Sequence, residues 1–476
     1  SGPDTGLGDG KGSGTIVTVW AQNIGDSQQN SRLIFKDSMG TEYNPYIYYW
    51  KKADGTLPSG VANLYDSHKM QEIAFSIPDS AEGAGSIYIE LSDGTITNKL
   101  PFTVRPGQIY HVRSSGNDNN DGSYSSPLKT ISGAISKNKK LGTIVYVHDV
   151  DTGSSTDTGN IIQWRSSVGL ADASNQSGLV SYPGYQPKVI GRNAISVYKA
   201  NALVVSKLSV FASNYTEESS TGQPTGTRLS GYGKTFTSAI TGSAYGRIEG
   251  NKITDIPGGC SSSMSGAISG GSKYDDYVSM LKVYGNEVHD YGCPGASKLH
   301  HTTYLSIRSG DDNEQLPAPE MAWNYLHDNH TKNGLHIFDQ GRQGTKKGPN
   351  NTFLTNNCGN FTGKLKIHSN VIVNQAGAGI FVGTSNCDSA NYKTHIYNNL
   401  IINPGLPAAW DGVDVSTQDG KDPTGISVGS NNNETHQVYN NTIIDRPNSE
   451  LNLGESFCFG AVGGGFKKAI FSNNIS

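Results

Sequence analysis

The feature that most constrains this chain is a repeat: an apolar residue, two residues, an asparagine, one residue and a second apolar residue. It reads as Ile248-Asn251-Ile253, Val283-Asn286-Val288, Met321-Asn324-Leu326 and Ile367-Asn370-Ile372. It continues as Ile396-Asn399-Ile401, Val438-Asn441-Ile443 and Ile470-Asn473-Ile475. A unit this short cannot bury its apolar residues alone, so successive units must stack. The asparagine suits a bend between strands, because it tolerates the left-handed backbone conformation and can pair with its copy one coil away. Intervals of 35, 38, 46, 29, 42 and 32 residues between asparagines predict coils with loops of unequal length. The fold class expected is all-β: a right-handed parallel β-helix preceded by a small antiparallel β-sandwich.

Composition agrees with strands rather than helices. Glycine supplies 59 of 476 residues and charged residues only 16%, leaving few of the lysines and glutamates that cover helix surfaces. A net charge of −4 argues against a general electrostatic grip on nucleic acid, yet permits a local basic cleft for an acidic sugar. No apolar run approaches the eighteen or so residues of a membrane span. The chain opens on Ser1 and reads as mature or trimmed; its first stretch, SGPDTGLGDGKGSG, fits linker, tag remnant or native sequence. Of five cysteines, Cys260/Cys293 and Cys358/Cys387 occupy corresponding places in successive repeats, so two disulfides with Cys458 free stand against five reduced thiols.

Residues 1–106 carry six short strand patterns separated by turn residues, TIVTVWAQ, SRLIFKD, YIYYWKK, MQEIAFSI, GSIYIEL and LPFTV, as in an immunoglobulin-like β-sandwich. From residue 107 the character changes. The segment IYHVRSSGNDNNDGSYSSPLKTISGAI predicts a strand, a turn and a capping helix with Pro127 in its first turn and Leu128, Ile131, Ala134 and Ile135 on one face. Residues 107–476 resemble the pectate-lyase-like superfamily of right-handed parallel β-helices, and the N-terminal module resembles an IPT/TIG-type sandwich. That resemblance implies an extracellular, carbohydrate-active protein; it is one of architecture, and no enzyme family's catalytic signature is matched.

A second strand follows the asparagine frame in four repeats: TTYLSIRSG, NGLHIFDQG, GAGIFVGTS and GISVGS. Aligning Leu305/Ile307, Leu335/Ile337, Ile380/Val382 and Ile426/Val428 as inward pairs puts Ser306, His336, Phe381 and Ser427 in one outward column. Arg308, Phe338, Gly383 and Gly429 form the next, with Tyr304 beside them and the glycines leaving room for a bound chain. Five of the twelve histidines fall between 300 and 336. The expected catalytic set is His336, Tyr304, Arg308, His301 and Asp339, with Lys298, His300, Asp328, Phe338, Arg342, Lys346 and Phe381 as substrate contacts.

Two chemistries suit this set. Elimination from a uronic acid needs a base for the C5 proton (His336 or Tyr304), a cation for the carboxylate (Arg308 or Lys298) and an acid (Tyr304). Hydrolysis needs two carboxylates flanking the bond, from Asp328, Asp339, Asp311, Asp312 and Glu320. Elimination ranks first, hydrolysis second, and a non-catalytic glycan-binding or adhesive β-helix third. The partner expected is a polysaccharide, with neither nucleic acid nor a membrane span. No motif demands a cofactor or a metal; calcium is the ion that loops such as 309–314 would suit, while 116–122 reads as plain turn chemistry.

Overall fold

In the computed structural model, each repeating asparagine sits at a bend between two strands of a right-handed parallel β-helix. The structure describes residues 1–138, 140–154, 160–165, 174–198, 202–213, 215–216, 238–262, 266–270, 281–293, 299–307, 316–339, 342–343, 356–357, 361–362, 364–384, 393–405, 424–429, 435–444, 458–462 and 468–475. One coil runs from Lys282–Tyr284 in a first sheet, through Asn286, to Glu287–His289 in a second and His301–Ile307 in a third. The next coil begins at Glu320–Ala322. Among the described residues the first sheet has 11 strands and the other two have 9 each.

The core is a set of aliphatic columns. Val205, Ile248, Val283, Met321, Ile367, Ile396 and Val438 are paired rung to rung in the first sheet. All are essentially sealed from solvent, so neighbouring coils bury each other's apolar side chains. At the head of the solenoid the helix Ile131–Lys137 covers the open end with Leu128, Ile131 and Ala134. Thr130 caps it, accepting a hydrogen bond from the Gly133 amide at 2.9 Å. Pro127 therefore precedes the helix instead of lying in its first turn.

The bend divides its labour between two residues. The left-handed conformation belongs to the residue before each asparagine: Gly250, Gly285, Trp323, Ser369, Asn398 and Asn440 all have φ between 53° and 66°. The asparagine itself is buried and makes the ladder. Asn324 Nδ2 donates to Asn370 Oδ1 at 3.0 Å and to the Val283 carbonyl at 2.9 Å. Its Oδ1 accepts the Asn286 backbone amide and Nδ2, both at 3.1 Å. The same pattern runs through Asn251, Asn286, Asn370, Asn399 and Asn441. It ends on Asn474, not Asn473: Val438 pairs with Phe471, one residue later than the sequence frame placed it. At the other end the spacing extends one coil further as Val205-Leu208-Val210, with Leu208 in the asparagine's place and its amide on Asn251 Oδ1 at 3.1 Å.

The N-terminal module is a small β-sandwich. One antiparallel sheet holds Ile16–Gln22, Met70–Ser76 and Ile47–Lys52; the other holds Glu42–Tyr43, Arg32–Lys36, Ala84–Glu90 and Leu100–Thr103. Leu33, Phe35, Ile73, Phe75, Ile87 and Ile89 fill the space between them. It is fastened to the solenoid by buried polar contacts. Lys207, at a bend, sends Nζ to Thr18 Oγ1 at 2.7 Å and lies 3.8 Å from the equally buried Glu72. The opening residues are ordered here as well: Leu7 is buried and Asp9 accepts the hydroxyls of Tyr48 and Tyr182. Beneath them His111 Nδ1 lies 3.0 Å from His148 Nε2, and His111 Nε2 donates to the Leu7 carbonyl at 2.9 Å.

Cys260 and Cys293 form a disulfide between successive coils, and Cys458 is a free thiol. Cys358 and Cys387 lie outside the described residues. In the 116–122 loop, Asp118 accepts the amides of Lys129 and Thr130 at 3.0 and 2.9 Å. No described helix is long and apolar enough to cross a membrane.

Replacing Asn324 by Ala strands the Asn286 amide, the Asn286 carboxamide and the Val283 carbonyl inside the ladder. A loss of about 3 kcal/mol is expected in chemical denaturation, whereas Asn474→Ala at the exposed end should cost well under half of that. Burial, reinforced by the Arg113 charge, pushes His111 down to about 4 and His148 to about 3. Both stay neutral in the native state while the unfolded imidazoles titrate near pH ~6.5. Their contribution is complete above that pH and is lost as the pH falls towards 4. The thermal midpoint should decline across this window, more shallowly in His148→Phe; parallel profiles would refute the assignment.

Candidate functional site

The outward face of the third sheet is built from Tyr304, His336, Phe338 and Phe381. Leu305, Ile337 and Val382 point into the core and are fully buried, so alternation turns their neighbours outward. The register pairs Tyr304 with His336, His336 with Phe381 and Phe381 with Ser427. Leu305 thus sits beside Ile337, not beside Leu335 as the apolar pairs suggested. This two-residue shift brings Tyr304 into the histidine column and moves Ser306 next to Phe338.

The rings enclose His336. Its centroid lies 4.1 Å from that of His301, 5.1 Å from Tyr304, 5.0 Å from Phe381 and 5.9 Å from Phe338. His301 stacks on Tyr304 at 5.3 Å. Gly383, expected to leave room for a bound chain, is instead where the two phenylalanines meet: a Cβ there would fall 2.6 Å from the Phe381 ring and 3.2 Å from the Phe338 ring. His336 is only 7% exposed, and among the described residues neither ring nitrogen has a hydrogen-bond partner. Burial, with the Lys332 charge nearby, pushes it down to about 3. Burial also holds His301 well below the usual imidazole range, helped by His336, His300 and Lys332. The cluster therefore presents neutral imidazoles beside a phenol.

Other expected site residues fall elsewhere. His300 is fully buried and packs on Tyr291 at 5.2 Å, inside the coil edge. Asp328 lies on the second sheet at φ 56°, accepting Asn374 Nδ2 at 2.7 Å and contacting His327 Nδ1 at 2.9 Å. Glu320 lies on the first sheet, held by His368 Nε2 at 2.9 Å and the Tyr284 hydroxyl at 2.5 Å. These two carboxylates are on different faces from His336. The backbone of Asp339 pairs with Ile307 and Thr384, and Arg342 pairs with Asn357. Lys298, Arg308, Asp311, Asp312 and Lys346 lie outside the described residues, as does the 309–314 loop. Among the described residues, no cluster of three His, Cys, Asp or Glu side chains is arranged to hold a metal.

Two features escaped the sequence reading. Lys332 directly precedes the His336 strand and is the cation both imidazoles feel; its only signal was that position. On the second sheet, His289 and His327 stack at 4.9 Å beside Glu287. Burial would raise the Glu287 carboxyl, but His327, Lys252 and the Asn63 amide hold it at about 2. Asn63 donates to it from the sandwich at 2.7 Å.

No protein-family model and no curated protein matches the chain. Among solved structures it is similar to XylC in complex with xylose: 9% identity over 77% of this chain and 70% of that one, TM-score 0.42. It is similar to a rhamnogalacturonan lyase (12% identity, 73% and 84% covered, TM-score 0.42). A third is an alginate lyase from Paenibacillus sp. str. FPU-7, at 12% identity with 72% and 97% covered and a TM-score of 0.33. The parallel β-helix itself is established by the order and register of the three sheets.

The neutrality of His336 is directly measurable. Its imidazole resonances, assigned with His336→Gln, should not titrate between pH 8 and pH 5; a midpoint near ~6.5 would contradict the buried environment.

Proposed function

We propose that the protein is an extracellular polysaccharide lyase that cleaves a uronate-containing glycan by β-elimination on the third sheet. The observation that carries this reading is the registered contact of Tyr304 with His336, a buried imidazole whose nitrogens have no partner among the described residues. A buried donor or acceptor left unmatched is costly, and such a group is matched when a substrate arrives.

In the reaction, His336 takes the C5 proton, the C5–H electrons form the C4–C5 double bond, and the C4–O bond breaks. The departing oxygen takes the Tyr304 phenolic proton. Exchange with solvent then returns a proton to the phenolate and removes one from the imidazolium. A weakly basic imidazole suits the task once substrate is bound, because the uronate carboxylate supplies the counter-charge that burial withholds and raises its proton affinity. Phe338 and Phe381 give an apolar wall, and Lys332 is the described cation nearest in influence for the carboxylate. The placement of Asp328 and Glu320 on other faces supports elimination over hydrolysis by that pair. The Cys260–Cys293 disulfide supports an oxidising, extracellular location.

The decisive measurement is incubation with polygalacturonate, alginate and a neutral glucan. New ultraviolet absorbance from an unsaturated product is expected with an acidic polymer. Reducing ends without it would replace elimination by hydrolysis, and binding without cleavage would remove the enzymatic reading. His336→Ala should lower kcat at least about a hundredfold with an unchanged melting curve, and Tyr304→Phe should lower kcat more than it changes KM. An undiminished rate in His336→Ala would remove this residue as the base.

A further inference from the structure

The first sheet, on a different face from His336, carries a second ordered array. Its strands Lys364–His368, Lys393–Tyr397 and Thr435–Tyr439 pair in parallel, which sets three outward columns side by side. One column runs Lys364, Lys393, Thr435, with the backbone of Lys468 on the next rung. The middle column runs Lys366, His395, Gln437. The last is a ring stack, with His368 on Tyr397 at 4.7 Å and 11°, and Tyr397 on Tyr439 at 5.1 Å and 3°. Successive rungs of a sheet are about 4.8 Å apart, so cations and rings repeat at that pitch along the solenoid axis.

The charges of this array are uneven. Glu320, on the neighbouring strand, is already engaged by His368, Lys282 at 3.3 Å and Lys366 at 3.7 Å. Among the described residues, Lys364 and Lys393 have no carboxylate within ion-pair distance, and both are exposed. His395 lies between the lysine and tyrosine columns. It is 6% exposed, its Nδ1 is 3.4 Å from the Tyr439 hydroxyl, and its Nε2 has no partner among the described residues. On a chain of net charge −4, adjacent exposed and uncompensated lysines on successive rungs are a surface for anionic oxygens repeated along a line.

We infer that this face of the first sheet is a second, non-catalytic contact surface for a carboxylate-bearing polysaccharide. The chain lies along the solenoid axis, its anionic groups against Lys364 and Lys393. The choice of a saccharide rests on the proposed function; the anionic, linear nature of the ligand rests on the array alone. Such a surface holds a long polymer near the third sheet without taking part in bond cleavage.

The test uses the full chain carrying His336→Ala, so that polymer survives, with binding measured by affinity electrophoresis and calorimetry. Polygalacturonate should bind, a neutral glucan should not, and rising salt should weaken the complex. Adding Lys364→Ala and Lys393→Ala should weaken binding roughly tenfold and flatten the salt dependence, with Lys364→Arg and Lys393→Arg restoring most of it. In the protein with His336 intact, the alanine pair should leave the rate on a short oligosaccharide unchanged. Unaltered polymer affinity in the alanine pair would overturn the inference, and so would duplex DNA binding more tightly than any glycan. A sulfated glycan that displaces polygalacturonate supports recognition by anionic charge. Loss of binding in the lysine pair alongside full activity in His336→Ala would sink the catalytic proposal and leave this surface standing.

Discussion

The stacking of the coils from Asn251 to Asn474 depends on the hydrogen-bond ladder of buried asparagines at one bend. A sharp turn between two strands turns backbone amides and carbonyls into a space that water cannot reach, and each must find a partner. The carboxamide solves this in both directions along the axis. Its oxygen takes the amide and the carboxamide of one neighbouring coil, and its nitrogen serves the other neighbour and a main-chain carbonyl. Because both halves of the group are used, sliding one coil past the next would break bonds on both sides at once. The ladder therefore sets register as well as stability, and register brings Tyr304, His336 and Phe381 into one column.

The solenoid was legible because the ladder leaves a trace in sequence: an asparagine with apolar residues three before and two after. The trace fails where another residue performs part of the task. At Leu208 the bend keeps its spacing but lacks a carboxamide, so the coils before residue 245 carry no visible asparagine frame. At the C-terminal end, consecutive Asn473 and Asn474 allow two frames, and Ile470 and Ile475 favoured the wrong one. The left-handed residue was placed on the asparagine because asparagine tolerates it, yet glycine, tryptophan, serine and asparagine all occupy that position one residue earlier. Paired carboxamides are worth more buried in the ladder than spent on an unusual φ.

The column of Tyr304, His336 and Phe381 was legible to within a two-residue slip, and the reason is physical. Side chains alternate with period two in a strand, so a shift of two keeps every residue on its correct face. Leu305 and Ile307 look like a match for Leu335 and Ile337, and nothing in the apolar pattern distinguishes that alignment from the observed one. The true inward partner of Leu335 is Thr303, a polar residue that the pattern could not recognise. What no pattern revealed is the environment: the closure of Phe338 and Phe381 over Gly383, the burial of His336, and the influence of Lys332.

The separation of the exposed lysines and the buried imidazoles onto different faces has an electrostatic consequence. In a buried cluster, each nearby positive charge opposes imidazolium formation, as Lys332 already does for both His301 and His336. A strip of lysines placed there would depress both imidazoles further. On the first sheet Lys364 and Lys393 stand in solvent, where their charges are screened from His336. The β-helix makes this division possible because each coil contributes one strand to every face. The lysines of the first sheet and the imidazoles of the third are thereby held on separate sheets of the same solenoid.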